Sequence, residues 1–262
     1  MTGLGLLIAS VMTSLFVNSS AEVRTSYISL GSIVEDRPMA MVYLRPGIDA
    51  NEFGRFGLHH WDVSSLTDRR SDAHRKPFYH TEYGPTWEHL WRFADGWGIR
   101  SSVIWAWTLY RGFHDPGSDG TYQWIHLNES LENAYLVPFA SLRRCYVQAD
   151  YFYFKLGLRR ACALGRGFTL TPSAYAEGGN GKNYARCFGE RSDGRPWGAG
   201  GVSSVTFRLE LSYSVGCGIS AFAFAEQYEV VGGAARATNA ERTFVCAHND
   251  LTVGGVGMRA SF

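Results

Sequence analysis

Within the stretch 202–215, apolar and polar residues alternate without a break along residues 205–215, which predicts a β-strand with two unlike faces. One parity is apolar throughout, and the other carries Thr206, Arg208, Glu210, Ser212 and Ser214. Successive side chains of a strand point to opposite faces, so one face of this strand is apolar and the other polar. Two folds fit: a soluble β-sandwich, whose apolar face covers a core, or a membrane barrel, whose apolar face meets lipid and whose polar face lines the interior.

The same signal recurs along the chain and predicts twelve strands in sequence. They cover residues 26–34, 38–46, 54–64, 78–93, 97–111, 121–131, 135–147, 151–163, 168–178, 200–215, 218–231 and 249–262. Bacterial membrane barrels have an even number of antiparallel strands. The pattern therefore predicts an all-β chain and favours an up-and-down antiparallel barrel of about twelve strands.

The connections between these strands separate into two classes by length. Every second connection is short, as at residues 94–96, 132–134, 165–167 and 216–217, with residues 47–53 somewhat longer. The other class contains all the long connections, at residues 65–77, 112–120, 179–199 and 232–248, and two short ones, at residues 35–37 and 148–150. Tight turns at one rim and long loops at the other are typical of outer-membrane barrels.

Composition favours the membrane barrel over the sandwich. Aromatic residues make up 15% of the chain although its mean hydropathy is only −0.15. After the first two dozen residues there is no apolar run of about 20 residues, as a membrane helix would require. A soluble fold would need a second layer over so many rings, and no amphipathic helix supplies one. The formal net charge of +1 gives no reason to expect a nucleic-acid partner.

The N-terminus predicts a secretory signal peptide at residues 1–21 and a barrel domain at residues 22–262. Residues 4–17 form an apolar stretch, and Ser19, Ser20 and Ala21 supply small residues before Glu22. Residues 1–3 contain no lysine or arginine, which departs from the usual pattern. An upstream start site, or an anchor helix that is never cleaved, would also explain this.

The last strand ends in Phe262, with Val256, Met258 and Ala260 on the same parity. In this feature the chain resembles the Gram-negative outer-membrane β-barrel proteins, many of which end in an amphipathic strand with a final aromatic residue that the barrel-insertion machinery recognises. The resemblance covers the mature chain as an architecture and specifies no subfamily. It implies a bacterial outer-membrane location, contact with outer-membrane lipid and lipopolysaccharide, and a role for Phe262 as the insertion signal.

The polar parity supplies candidate residues for the barrel lumen. These are Glu82, Glu88, Arg92, Arg100, Lys155, Arg159, Arg208, Glu210 and Arg259. Bases outnumber acids six to three in this set, so the lumen is predicted to favour anions, and small twelve-strand channels for acidic sugars have similar basic interiors. The predicted function is a porin-like transport channel for small, possibly anionic, solutes. The alternative is a non-conducting structural or surface-interaction barrel that acts through its long loops. If Arg208 and Glu210 bond to neighbours across the barrel, the lumen is closed; if they stand in water, it conducts.

The sequence does not favour an enzyme. Some small outer-membrane barrels hydrolyse lipids with a Ser–His pair on the lipid-facing side, and here His89 and Ser101 both have the outward parity. No third residue is evident that would orient the histidine as a base, and the G-x-S-x-G motif is absent. A lipid hydrolase therefore remains only a minor alternative.

Cysteine and histidine spacing predicts neither a metal site nor a cofactor. The five cysteines include no C-x-x-C pair, and the adjacent His59 and His60 would point to opposite faces of a strand. Cys187 and Cys246 both lie in predicted long loops, so a disulfide between them is possible in an exported protein. All five could equally be small buried or lipid-facing residues. The charged loop segments 68–72 and 191–195 are either solvated loops or contacts for lipopolysaccharide phosphates.

Overall fold

The computed structural model describes residues 14–29, 32–35, 37–66, 79–111, 120–147, 150–188, 200–232 and 250–262. Its strands are β1 (Ser14–Arg24), β2 (Tyr27–Ser29), β3 (Ser32–Glu35), β4 (Met39–Asp49), β5 (Arg55–Ser65), β6 (Tyr79–Ala94), β7 (Trp97–Arg111), β8 (Gly120–Glu132), β9 (Val137–Val147), β10 (Tyr151–Arg159), β11 (Cys162–Gly165), β12 (Phe168–Gly179), β13 (Gly201–Gly216), β14 (Ile219–Val230) and β15 (Asp250–Ser261). One helix, α1 (Gly181–Phe188), and a 3-10 turn at Asn51–Phe53 complete the described elements.

The strands form one closed antiparallel barrel. Each strand pairs with its neighbour in sequence, and β1 pairs with both β4 and β15, which joins the two ends of the sheet. Because β10 and β11 both pair with β12 and are separated only by residues 160–161, they act as one interrupted strand. The barrel therefore has twelve strands, and the predicted fold class is confirmed.

The prediction was wrong about the first barrel strand, which is Ser14–Arg24 and not residues 26–34. Tyr27–Ser29 and Ser32–Glu35 instead form a separate two-stranded hairpin between β1 and β4. The apolar run at residues 4–17 resembles a signal peptide, which concealed the alternation that starts at Ser14. Residues 1–13 lie outside the described part of the chain. The cleavage after Ala21 that the sequence predicts is not tested by the described residues, but it would remove most of the strand that pairs with β15.

We expect the membrane-inserted protein to retain Ser14–Arg24, because Ala21 pairs with Met258 and Val17 exchanges two backbone hydrogen bonds of 3.0 Å with Phe262. Without this segment, β4 and β15 would expose unpaired edges in lipid, which is unfavourable. Peptide mass spectrometry of the heat-modifiable, membrane-extracted form tests this. A mature chain that starts at Glu22 would contradict it.

The strand faces follow the predicted parity. On β13, the outward Phe207, Leu209 and Leu211 are all exposed, whereas Thr206 and Glu210 are buried inside. On β15, Val256 and Met258 are exposed on the outer face. The outer surface is thus apolar over its central belt, which is the surface that a location in lipid requires. Among the described helices, none has the length and apolar character needed to cross a membrane.

The two rims differ as predicted. The turn rim carries the connections between β4 and β5, β6 and β7, β8 and β9, β11 and β12, and β13 and β14. The loop rim carries the others, most of them long. The predicted short connection at residues 35–37 was wrong, because the chain between Arg24 and Met39 contains the β2–β3 hairpin. At the turn rim, Gly218 adopts φ +75°, where a Cβ would lie 2.2 Å from the carbonyl oxygen of Ser261.

Candidate functional site

The barrel lumen is the candidate functional site, and strand parity brings charged side chains into it from almost every wall strand. Of the nine residues predicted to line it, all except Arg92 form a described ion pair within the barrel. Arg92 has the inward parity near the turn rim and is exposed. The charged residues divide into a buried cluster toward the loop rim and more exposed groups toward the turn rim.

Glu82 is the centre of the buried cluster. Its carboxylate is 1% exposed and accepts hydrogen bonds from Thr108 at 3.2 Å and Arg143 at 3.5 Å, while Nε2 of His59 lies 3.0 Å away. Nε2 of His80 is 3.9 Å from the same carboxylate. We name these five residues the Glu82 cluster. Burying a carboxylate is costly unless it is paired, so this network fixes three neighbouring strands and β9 in register.

The β2–β3 hairpin folds against this cluster. Tyr27 is 1% exposed, and its hydroxyl lies 3.1 Å from Nδ1 of His80. Its ring also contacts the edge of Trp61. The next residue, Ile28, packs both against the cluster that contains Tyr228 and against the small cluster of Phe222, Phe224 and Val253. The hairpin therefore lies within the barrel and contacts two parts of its inner wall.

Helix α1 covers the same half of the barrel. Oδ1 of Asn180 accepts hydrogen bonds from the backbone amides of Asn183 at 3.0 Å and Phe152 at 3.2 Å, which ties the start of the helix to β10. Tyr184 is buried on the inner side of the helix and packs with Tyr151 and Tyr153. Burial raises the pKa of Tyr184. Side chains from the hairpin, the helix and the wall thus fill the loop-side half of the lumen.

The turn-side half contains a cavity of about 700 Å3. Its charged lining consists of the bases Lys155, Arg159, Arg160, Arg208 and Arg259 and the acids Glu132 and Glu210. The lining is therefore electropositive. The rest of the lining includes Phe139, Tyr175 and several small or polar residues, so the cavity combines ring faces with cationic groups.

Arginines and glutamates alternate along the wall beside this cavity. On one side the ion pairs run Arg45–Glu88 at 3.0 Å, Glu88–Arg100 at 3.0 Å, Arg100–Glu132 at 3.3 Å and Glu132–Arg159 at 3.1 Å. On the other side they run Glu22–Arg24 at 3.6 Å, Arg24–Glu226 at 2.8 Å, Glu226–Arg208 at 3.1 Å, Arg208–Glu210 at 2.8 Å and Glu210–Arg259 at 2.6 Å. Both series end in an arginine whose side chain is 44% exposed, Arg159 and Arg259.

Arg208 and Glu210 are bonded, but along the wall and not across the barrel. Their partners are Glu226, on the neighbouring strand β14, and Arg259, on β15, which is the next strand along the wall. The guanidinium of Arg208 lies 3.6 Å from the ring centroid of Phe224, and that of Arg259 lies 4.0 Å from Phe222. The ion pairs therefore line the cavity without closing it. The sequence predicted either bonds across the barrel or contact with water, so this arrangement along the wall was not predicted.

Sequence reasoning missed several interior charges. Arg143 belongs to the Glu82 cluster, whereas its neighbour Arg144 lies on the outer face and pairs with Asp150 at 3.6 Å. The Lys182 ammonium hydrogen-bonded to Asp150 lowers the pKa of that carboxyl. Glu226 and Arg24 were also missed, although the parity of Phe222 and Phe224 on β14 could have identified Glu226. Lys155 pairs with Glu177 at 3.0 Å.

The structure locates the adjacent histidines His59 and His60, but it does not describe both cysteines of the predicted disulfide. His59 faces inward and His60 outward, where it lies 2.6 Å from Asp62, so the predicted opposition of these two side chains is confirmed. Cys246 and the loop segments 68–72 and 191–195 lie outside the described residues. The Cys187–Cys246 disulfide and the lipopolysaccharide contacts therefore stay predictions.

The outward pair His89 and Ser101 is in register on β6 and β7. The hydroxyl of Ser101 donates to Glu129 at 2.8 Å and accepts from the indole of Trp91 at 3.2 Å. In the described part of the chain, no hydrogen bond joins Ser101 to His89. The arrangement thus lacks the activated nucleophile of a serine hydrolase.

Comparisons with known proteins match the fold over nearly the whole chain. An outer-membrane channel from Pseudomonas putida F1 superposes with a TM-score of 0.56 at 8% identity, covering 96% of this chain and 98% of that chain. LpxR from Salmonella typhimurium gives 0.51 at 10% identity, covering 94% and 99%. The KdgM porin, in complex with disordered oligogalacturonate, gives 0.50 at 10% identity, covering 94% and 99%. No family model and no curated protein matches the sequence.

At these identities the comparisons establish the fold alone. The chain has the fold of the bacterial outer-membrane β-barrel proteins, so the predicted resemblance is confirmed at that level. The apolar belt agrees with the outer-membrane location of these neighbours. The fold by itself does not decide between a channel, an enzyme and a structural barrel.

Proposed function

We propose that this barrel is an outer-membrane channel for small anionic solutes. The observation that carries the proposal is the cavity of about 700 Å3 at the turn rim, whose charged lining has five bases and two acids. Anions are stabilised where guanidinium groups present free N–H donors into a cavity of reduced dielectric. Arg159, Arg160 and Arg259 are the residues best placed to present such donors.

Two of the similar structures support this choice. One is named as a channel, and the other, the KdgM porin, was solved with an oligogalacturonate, which is an acidic saccharide. The basic cavity of this chain also places Phe139 and Tyr175 beside the arginines. Ring faces and guanidinium groups together would suit an acidic sugar, whose C–H face packs on rings while its carboxylate bonds to arginine.

Reversing charge in the cavity is expected to reverse the ion selectivity. In the double variant R159E/R259E, the cavity lining loses two bases and gains two acids, which makes it net acidic. In planar bilayers under a potassium chloride gradient, the reversal potential should change from anion-selective to cation-selective. The control is Arg166→Glu, at the tip of the β11–β12 turn, which makes one such charge reversal outside the cavity lining. Unchanged selectivity in conducting R159E/R259E would contradict the proposed path.

A second candidate is a non-conducting barrel that acts through its loops, and the filled loop-side half of the lumen favours it. The β2–β3 hairpin and α1 occupy the region through which a solute would pass. Correctly folded protein that never gives discrete current steps, including after removal of the hairpin, would support this candidate over a channel.

We also propose the partners that the architecture implies. Phe262 is 63% exposed on the outer face at the closing seam of the barrel, where its backbone pairs with Val17. That position is accessible to the barrel-insertion machinery before the seam closes. Outer-membrane lipid would contact the apolar belt, and lipopolysaccharide would contact the loop rim.

A further inference from the structure

An apolar groove of about 960 Å3 lies on the outer surface of the barrel, between β7 and β13. Its floor is formed by small outward-facing residues, among them Pro138, Ala140, Ala174 and Ala176. Larger side chains stand along its sides, such as Leu156, which is 52% exposed, and Phe207. The groove is therefore a depression in the lipid-facing belt and is separate from the lumen.

Glu129 is the one charged residue that lines this groove. It has the outward parity on β8, is exposed, and accepts the hydrogen bond from Ser101. Ser101 is in turn held by the indole of Trp91. Within the described residues, no lysine, arginine or histidine forms an ion pair with Glu129. A carboxylate at a lipid-facing surface is costly unless a cation or water accompanies it.

The strand register shows how the groove is inclined. Glu129 pairs with Ala140, which pairs with Leu156; Leu156 pairs with Ala176, and Ala176 with Val205. Glu129 lies near the turn-rim end of β8, which ends at Glu132, whereas Val205 lies near the loop-rim start of β13. The groove therefore begins close to one membrane interface and continues obliquely into the depth of the hydrocarbon layer.

We propose that this groove binds a phospholipid whose headgroup carries an ammonium group. The ammonium donates to the Glu129 carboxylate at the turn-rim interface, and one acyl chain lies along the small-residue floor toward Val205. Trp91 on β6 is linked to this position through Ser101, to which its indole donates. Aromatic faces attract ammonium groups, and tryptophan is enriched at the depth of lipid headgroups. Charge complementarity therefore selects an ammonium headgroup over an anionic one.

Native mass spectrometry of the delipidated protein in detergent tests this site. Phosphatidylethanolamine and phosphatidylglycerol with identical acyl chains are added separately, and lipid retention is measured for wild type and for Glu129→Gln. We expect wild type to retain phosphatidylethanolamine better. Glu129→Gln should weaken that retention about tenfold, the scale of one charge-assisted hydrogen bond. Phosphatidylglycerol retention should not fall, because the variant removes a carboxylate that repels its anionic headgroup.

The matched control is Glu229→Gln, which removes an outward-facing carboxylate on β14 outside the groove. It should leave both retentions at the wild-type level. Ala176→Trp fills the floor of the groove and should lower the retention of both lipids, and the heat-modifiable gel shift verifies that each variant is folded. Equal retention of phosphatidylethanolamine by wild type and Glu129→Gln would overturn the proposal. So would an Ala176→Trp variant that changes only the oligomeric state, because the occupant would then be a second copy of the chain.

Discussion

Replacing Glu82 with alanine is expected to lower the free energy of unfolding by about 3–5 kcal/mol, the cost of breaking a buried ion pair on one side. The Glu82 carboxylate is 1% exposed and contacts Arg143, His59 and Thr108. Without it, the Arg143 guanidinium loses a buried carboxylate partner 3.5 Å away. Urea titration of the protein refolded into lipid vesicles, followed by tryptophan fluorescence and by the heat-modifiable gel shift, measures this loss.

Two further variants test whether the loss of stability comes from the buried carboxylate of Glu82. Glu82→Gln keeps the shape and part of the hydrogen bonding, so its loss should be smaller than that of the alanine variant. Glu52→Ala removes an exposed carboxylate from the 3-10 turn at the turn rim and should change stability by no more than about 0.5 kcal/mol. A Glu82→Ala loss no larger than that of Glu52→Ala would show that the cluster does not stabilise the barrel.

Removing the β2–β3 hairpin is expected to produce the largest functional change, a several-fold increase in the amplitude of single-channel current. Residues 25–38 can be replaced by a short Gly-Ser turn, because Arg24 at the end of β1 pairs directly with Met39 at the start of β4. The variant loses the contact of Tyr27 with His80 of the Glu82 cluster and the packing of Ile28 against the cluster that contains Phe222. Recordings in planar bilayers compare it with the full chain.

The control for this deletion is Tyr27→Phe, which removes one hydroxyl and leaves the ring in place. It should give current steps of wild-type amplitude, since the ring still occupies the lumen. If neither the full chain nor a heat-modifiable hairpin deletion gives discrete current steps, the proposed channel is contradicted. That result would favour the non-conducting barrel.

The alternation of side chains was sufficient to predict eleven of the twelve barrel strands. Each of these strands has one face in lipid and one in the interior, so the period of two is visible in its own residues. β1 was missed because its apolar residues continue a run that resembles a signal peptide. What makes β1 a barrel strand is its pairing with β15, which lies more than 200 positions away in the chain. The pattern of neighbouring residues contains no information about such a pairing.

The candidate site was predictable only in part, because its contacts also join residues that are distant in the chain. Parity assigned Glu82, Lys155 and Arg208 to the interior, but a carboxylate in a closed barrel can pair with bases from several strands. Arg143 was not assigned to the interior, and the structure makes it a member of the Glu82 cluster. The hairpin inside the lumen could not be predicted, because its strands are only three and four residues long and have no membrane-spanning alternation.

The sequence by itself determined the period of the strands, which side chains face lipid, the difference between the rims and the basic character of the interior. All of these are local properties of neighbouring residues. Only the tertiary structure decided that the Arg208–Glu210 pairs run along the wall and leave a basic cavity at the turn rim. It also decided that the β2–β3 hairpin fills the loop-side half and that Glu129 stands at the end of an apolar groove. Those features arise from the stagger of strands around a closed barrel, which brings together residues that are distant in the chain.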